Sequence, residues 1–334
     1  NIFLYFLLST SIMLGLYFGE DSAGSGGFII DFNYTWPLVV DPYNFSTKLE
    51  IKFPLHYYIA HIIYLFSDSK DILRMVYCCI AITTPYLFFI CLKNKFKELD
   101  HNNLFFFSLI IFLLPSFRSA AIWPNTQITA LIFFLISIIF FLKWENKKDY
   151  TKLNINLILT VFFLSLTVYT RQLYAMIFFY FLINFYLKLN KKIFFQAVCM
   201  VGLFAIPGIL FLLFWPNILK ATFVFKLYNS LLVNLSIISF YLIPFFSILF
   251  FFKEKKKFKK IKIVEILGIS IFIFLCSIYF DYNYLMGGGY FIKLSKIFFG
   301  NFFFFYLTSA IGLYLLYILS LEHKLNLILI LIIL

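Results

Sequence analysis

The stretch NKKDYTKLNINLILTVFFLSLTVYTRQLYAMIFFYFLINFYLKLNKK, Asn146 to Lys192, decides the fold. It opens and closes on lysine clusters. Between them lie two apolar runs, 155–170 and 172–188, joined only by Arg171-Gln172. Each run is close to the ~17–25 residues that a helix needs to cross a bilayer. Lysines beside spans mark the cytoplasmic side. The segment therefore reads as a hairpin of two spans with lysine feet inside and an arginine at its external tip.

The same pattern extends in both directions. Apolar segments at 2–18, 72–92, 104–117, 120–142, 193–214, 228–252, 263–280, 297–319 and 325–334 complete a series of about eleven spans. Lys93, Lys95 and Lys97 form one basic loop, and Lys143, Lys147, Lys148 and Lys152 the next. Lys188, Lys191 and Lys192 form a third. Seven lysines lie between Lys253 and Lys262, and His323-Lys324 closes the series. Alternating spans put all five loops on one side, provided that Phe53–Phe66 does not cross. That stretch is short and opens at Pro54, so it is expected to lie in the interface or to re-enter.

Composition agrees. The 334 residues are 63% hydrophobic, with mean hydropathy +0.94. That is far more apolar surface than a water-soluble domain uses, so the fold class is an all-α, polytopic membrane protein. The net charge of +13 comes from lysines flanking spans, which argues against a nucleic-acid partner. The five cysteines, Cys78, Cys79, Cys91, Cys199 and Cys276, lie in apolar runs without a CxxC pair, so neither a metal site nor a disulfide is expected. No repeat or linker divides the chain, which reads as a single membrane domain, 1–334. Its first residue is Asn1 and its last apolar run stops at Leu334, so both ends are expected to be incomplete. The first span lacks the basic start and small-residue cleavage site of a secretory signal.

The external side then carries the chemistry. Residues 19–71 form a long first loop with the interfacial helix. The loop begins GEDSAGSGG, Gly19–Gly27, with Glu20 and Asp21 leaving the first span directly and Asp31 following. A carboxylate at a membrane surface can serve as a general base, or hold a cation that bridges a phosphate. A solvated flexible loop is the plainer alternative. Lys52 precedes the helix KFPLHYY, at a height suited to a lipid-linked phosphate, although lysines and tyrosines there also serve as ordinary anchors. His56 and His61 read as polar surface residues.

Only three arginines occur in this lysine-rich chain: Arg74, Arg118 and Arg171. Arg118, in LPSFRSAAIWPNTQ, and Arg171, followed by Gln172, both fall on the external side against the charge trend. Their planar forks suit phosphate or a structural carboxylate. A late loop, DYNYLMGGGYFIKLSK, Asp281–Lys296, adds Lys293 and three glycines that let backbone amides approach an anion.

These residues together resemble the GT-C superfamily of polyprenyl-phosphate-sugar glycosyltransferases. Within it they are most similar to the dolichyl-phosphate-glucose α-1,2-glucosyltransferases. Glu20-Asp21 matches that family's acidic pair after span one. Asp41-Pro42 and Pro54–Tyr58 match its Asp-Pro segment and Pro-Leu-Tyr helix, and Arg171-Gln172 its Arg-Gln dipeptide. The resemblance implies sugar transfer from a polyprenyl-phosphate donor to a glycan or lipid-linked acceptor on the non-cytoplasmic face. Asp21, Glu20 or Asp31 would be the base, and Lys52, Arg118, Arg171, Gln172 and Lys293 would hold the donor phosphate. It implies no redox cofactor and is compatible with a divalent cation. The acidic pair is Glu-Asp, not Asp-Glu, and the late loop lacks the family's histidines, so sugar and acceptor stay open.

Two other functions fit the same pattern: a flippase or transporter of lipid-linked sugars, and a non-catalytic subunit of a membrane complex. A bacterial inner membrane suits the composition best, with the endoplasmic reticulum as the alternative. In the latter the sequons Asn33-Tyr34-Thr35 and Asn44-Phe45-Ser46 would be external.

Overall fold

The computed structural model describes residues 2–20, 27–43, 53–147, 150, 152–214, 231–239, 263–278, 280–281, 289–298 and 302–322. All regular structure among them is helical. The chain divides into two compact units, Asn1–Thr222 and Phe223–Leu334.

The first unit holds α1 (Ile2–Phe18), α2 (Gly27–Val40), α3 (Leu55–Tyr64), α4 (Lys70–Ile82), α5 (Thr84–Lys95), α6 (His101–Ser108), α7 (Pro115–Ile122), α8 (Thr126–Lys147), α9 (Ile155–Val168), α10 (Ile177–Lys188) and α11 (Lys191–Phe214). Local chemistry explains the boundaries. Asp100 and Asn154 accept hydrogen bonds from the backbone N–H of Asn103 (3.1 Å) and Asn156 (3.0 Å), capping α6 and α9. Asn190 caps α11 through the N–H of Ile193 at 2.9 Å.

Three helical stretches are long and apolar enough to cross a membrane: Lys70–Lys95, Thr126–Lys147 and Lys191–Leu213. The 22 residues of α8 rise about 33 Å, one hydrocarbon thickness. Five shorter apolar helices accompany them: Ile2–Phe18, Ile155–Val168, Gln172–Lys188, Ile266–Ile278 and Phe303–Tyr317. Ten-residue α3 rises only about 15 Å, too short to span.

The expected span at 104–117 takes another form. His101–Leu113, which ends in a 3₁₀ segment (Leu109–Leu113), meets Ser116–Ile122 at 72°. The cause is Pro115: the residue before a proline avoids helical backbone, and Leu114 is extended at ψ 117°. The next helix starts at Thr126, not 120. The junction between the spans expected at 104–117 and 120–142 is thus the short helix α7, with Phe117, Ala120, Ala121 and Ile122 buried.

The first external loop is also corrected. Residues 27–40 form α2, because Phe28, Phe32, Trp36 and Val39 recur on one helical face and pack into the core shared with Ile12, Tyr57 and Ala121. Within the late loop, Gly289–Phe298 is likewise helical, so Lys293 stands on a helix. Gly287 and Gly288 lie outside the described residues, as do 325–334 and most of 228–252.

Helices in lipid gain little from hydrophobic exclusion and associate through close packing and hydroxyl bonds. The α8–α9 contact is compatible with that: Ser137 donates to the Thr160 carbonyl at 3.0 Å, and Phe140 stacks on Phe163 at 5.7 Å.

The second unit, described by itself, contains α12 (231–239), α13 (Ile263–Ile278), α14 (Gly289–Phe298) and α15 (Phe303–Glu322). Ser236 and Ser309 hydrogen-bond across the α12–α15 contact at 2.8 Å. Gly312 lies so close that a Cβ there would collide with the Leu235 carbonyl. Gly268 on α13 faces open space. An exposed helix-interior Gly→Ala change normally stabilises by about 0.5–1 kcal/mol. Gly268→Ala is expected to follow that rule. Gly312→Ala is expected to reverse it, costing about 1–3 kcal/mol because the obstacle is backbone. Thermal unfolding of the two variants in one detergent checks the opposite signs.

Candidate functional site

Helix α1 ends in a Schellman turn. Gly19 takes φ +67°, its N–H donates to Leu16 O (3.3 Å), and the Glu20 N–H donates to Gly15 O (2.8 Å). The turn folds the Glu20 side chain back over Gly15, where any Cβ would strike its Oε2.

Arg118, on α7, meets it there. Its Nε donates to Glu20 Oε1 at 3.0 Å and its Nη2 to Oε2 at 2.7 Å, a two-pronged pair. The same guanidinium donates to Ser11 Oγ (3.1 Å) and to the Ser11 carbonyl (3.3 Å). Trp123 Nε1 donates to the Glu20 carbonyl at 3.0 Å.

Arg74, on α4, stacks 3.8 Å from the Trp123 ring. It donates to the carbonyls of Leu16 and Ile122 (3.3 Å each) and pairs with Asp71 at 3.0 Å. It therefore caps the C-terminal ends of α1 and α7, where a cation is favoured. Two of the three arginines are thus committed to holding helix ends together.

Arg118's hydrogen bonds hold the Glu20 carboxyl below its usual range, with burial opposing them. A carboxylate with both oxygens on one guanidinium and a lowered pKa is a weak proton acceptor at neutral pH. The linkage has a definite sign. A depressed pKa adds stability above the ordinary glutamate value of about 4.3, lost as pH falls through the folded value. Acid unfolding is therefore expected to start with this pair, and Glu20→Gln should flatten the acid side of the stability–pH curve. The cost at neutral pH should be about 1–2 kcal/mol, since a third of the Glu20 side chain stays in solvent.

Arg171 differs from the other two. It precedes the 3₁₀ segment Gln172–Met176 with extended backbone, φ −144° and ψ 108°, and is half-buried. Among the described residues its guanidinium has no hydrogen bond or ion pair. Next to it, the Tyr169 carbonyl accepts from Leu55 N–H at 3.2 Å, tying the tip of the 155–188 hairpin to the start of α3.

His56 corrects its expectation as a surface residue. It is 2% exposed, with Nδ1 at 2.9 Å from Thr129 Oγ1 and 3.4 Å from the Tyr77 hydroxyl. His56 and Ala60 are four apart, on one face of α3, and both are buried. His61 is partly buried, 2.8 Å from the Val39 carbonyl. Asp31 is exposed on α2, Gln172 is half-buried, and Lys293 is exposed in the second unit. Asp21 and Lys52 lie outside the described residues. Among the described residues no three His, Cys, Asp or Glu side chains converge to hold a metal.

Thus Glu20, Arg74, Arg118, the start of α8 and the tip at Arg171 belong to one end of the first unit. The other end of α8 carries the lysines. There Asn146 donates to Asn94 O at 2.9 Å, and Lys188 pairs with Glu145. No family model, curated protein or solved structure matches the chain.

Proposed function

We propose that this chain is an integral membrane glycosyltransferase that works at its arginine-bearing, non-cytoplasmic end. It takes a sugar from a polyprenyl-phosphate donor and passes it to a hydroxyl of a glycan or lipid-linked acceptor. The observation that carries this reading is the contrast among the arginines: Arg74 and Arg118 are consumed by helix ends and Glu20, while the half-buried Arg171, beside the start of α3, has no hydrogen bond or ion pair on its guanidinium among the described residues.

In this mechanism the acceptor oxygen attacks the anomeric carbon as the bond to the donor phosphate breaks. Asp21 takes the hydroxyl proton, and Arg171, with Lys52 and Gln172, holds the leaving polyprenyl phosphate. A single direct attack inverts the anomeric carbon. Glu20 and Arg118 act as the clamp from which the loop bearing Asp21 departs; Asp31 is the alternative base. A bound divalent cation, if used, would neutralise phosphate charge. The positive-inside rule supports a cytoplasmic lysine end, and a GT-C-like arrangement of about eleven spans in this chain is part of the proposal.

One observation favours a second reading. A helix broken by 72°, as at Pro115, is also a device of transporters, which fits a flippase of lipid-linked sugars. The deciding experiment incubates purified protein in detergent with polyprenyl-phosphate sugars and scores transfer. Transfer supports the enzyme. Its absence, with translocation after reconstitution into vesicles, supports the flippase.

A further inference from the structure

The lysine end of the first unit is more than an orientation signal. Two ties level the helix ends there: Asn146 to the Asn94 carbonyl joins α8 to α5, and the Glu145–Lys188 pair joins α8 to α10. The pair occupies Glu145. Lys143, Lys147, Lys191 and Lys192 are left exposed. The Lys143 ammonium stands 5.4 Å from the Phe140 ring centroid, one turn before the end of α8.

Beside these charges, large apolar side chains are open: Leu187 at 65%, Phe195 at 68% and Ile155 at 59%. An acidic protein or a nucleic acid in water would satisfy the lysines and leave these groups wet. A phospholipid satisfies both, with its phosphate at the lysines and its acyl chains along Leu187 and Phe195.

We propose that this face holds anionic phospholipid headgroups, with Lys143, Lys147, Lys191 and Lys192 as the phosphate-binding groups. The inference does not depend on the catalytic reading. Juxtamembrane lysines each favour an anionic surface by roughly fivefold. The full chain, reconstituted in equal parts phosphatidylglycerol and phosphatidylcholine, is extracted in mild detergent, and the retained lipids are counted by native mass spectrometry. Wild type is expected to keep phosphatidylglycerol about tenfold over phosphatidylcholine, a preference that weakens as salt rises.

Changing all four lysines to Gln is expected to abolish that preference, and changing all four to Arg to keep it. If the Gln variant does not fold by circular dichroism, Lys143→Gln/Lys147→Gln and Lys191→Gln/Lys192→Gln are measured separately, and each should lose part of it. Retention of the two lipids in the bulk ratio by wild type overturns the proposal. So does an unchanged preference in the folded Gln variants.

Discussion

Arg171→Ala is expected to cut sugar transfer by about 10²–10³-fold, the usual cost of removing a charge-stabilising donor from a transition state. Phosphate gains negative charge as the glycosidic bond breaks, and a guanidinium already in place needs no reorganisation. Arg171 lies three residues beyond the end of α9 and two residues from the carbonyl that binds Leu55. Arg171→Lys keeps the charge but loses the fork, so it should recover only part of the rate. Arg74→Ala separates a phosphate role from a structural one. It removes caps from α1 and α7 and should lower thermal stability, whereas Arg171→Ala should leave the unfolding midpoint close to wild type. Equal transfer by wild type and Arg171→Ala would remove Arg171 from the site.

The second large effect contrasts neighbours. Asp21→Asn is expected to lose about 10²–10⁴-fold in transfer, the range for deleting a general base. Glu20→Gln, one residue away, should lose stability first and activity much less, because Arg118 already occupies its carboxylate. Rates are compared at a temperature where both variants keep wild-type circular dichroism. The pH profile gives an independent check: an acid limb that persists in Glu20→Gln and vanishes in Asp21→Asn assigns the base. Loss of that limb in Glu20→Gln instead would return the role to Glu20.

Much of the first unit could be read from the chain because membrane helices obey one-dimensional rules. Apolar length sets where a helix can cross, and lysine placement sets its direction. In the folded unit Lys188 pairs with Glu145 at one end of the hairpin 155–188, and the Tyr169 carbonyl accepts from Leu55 at the other. Helix α2 escaped because its stripe of Phe28, Phe32, Trp36 and Val39 is shorter than a span and lies in a stretch rich in glycine and carboxylates. The span expected at 104–117 ran through Pro115, and the 72° turn that buries α7 depends on the helices around it.

By itself, the sequence determined an all-helical, membrane-compatible chain, the grouping of its lysines, and the short list of carboxylates and arginines opposite them. Local composition decides each of these, since apolar length and flanking charge act on each segment separately. Only the tertiary structure decided which arginine is available. Arg118 and Arg171 look alike in the chain, each a lone cation against the charge trend. Folding carries Arg118 onto a carboxylate 98 positions away and leaves Arg171 without one among the described residues. Such pairing depends on the Schellman turn at Gly19, the missing Cβ of Gly15 and the bend at Pro115 acting together in space.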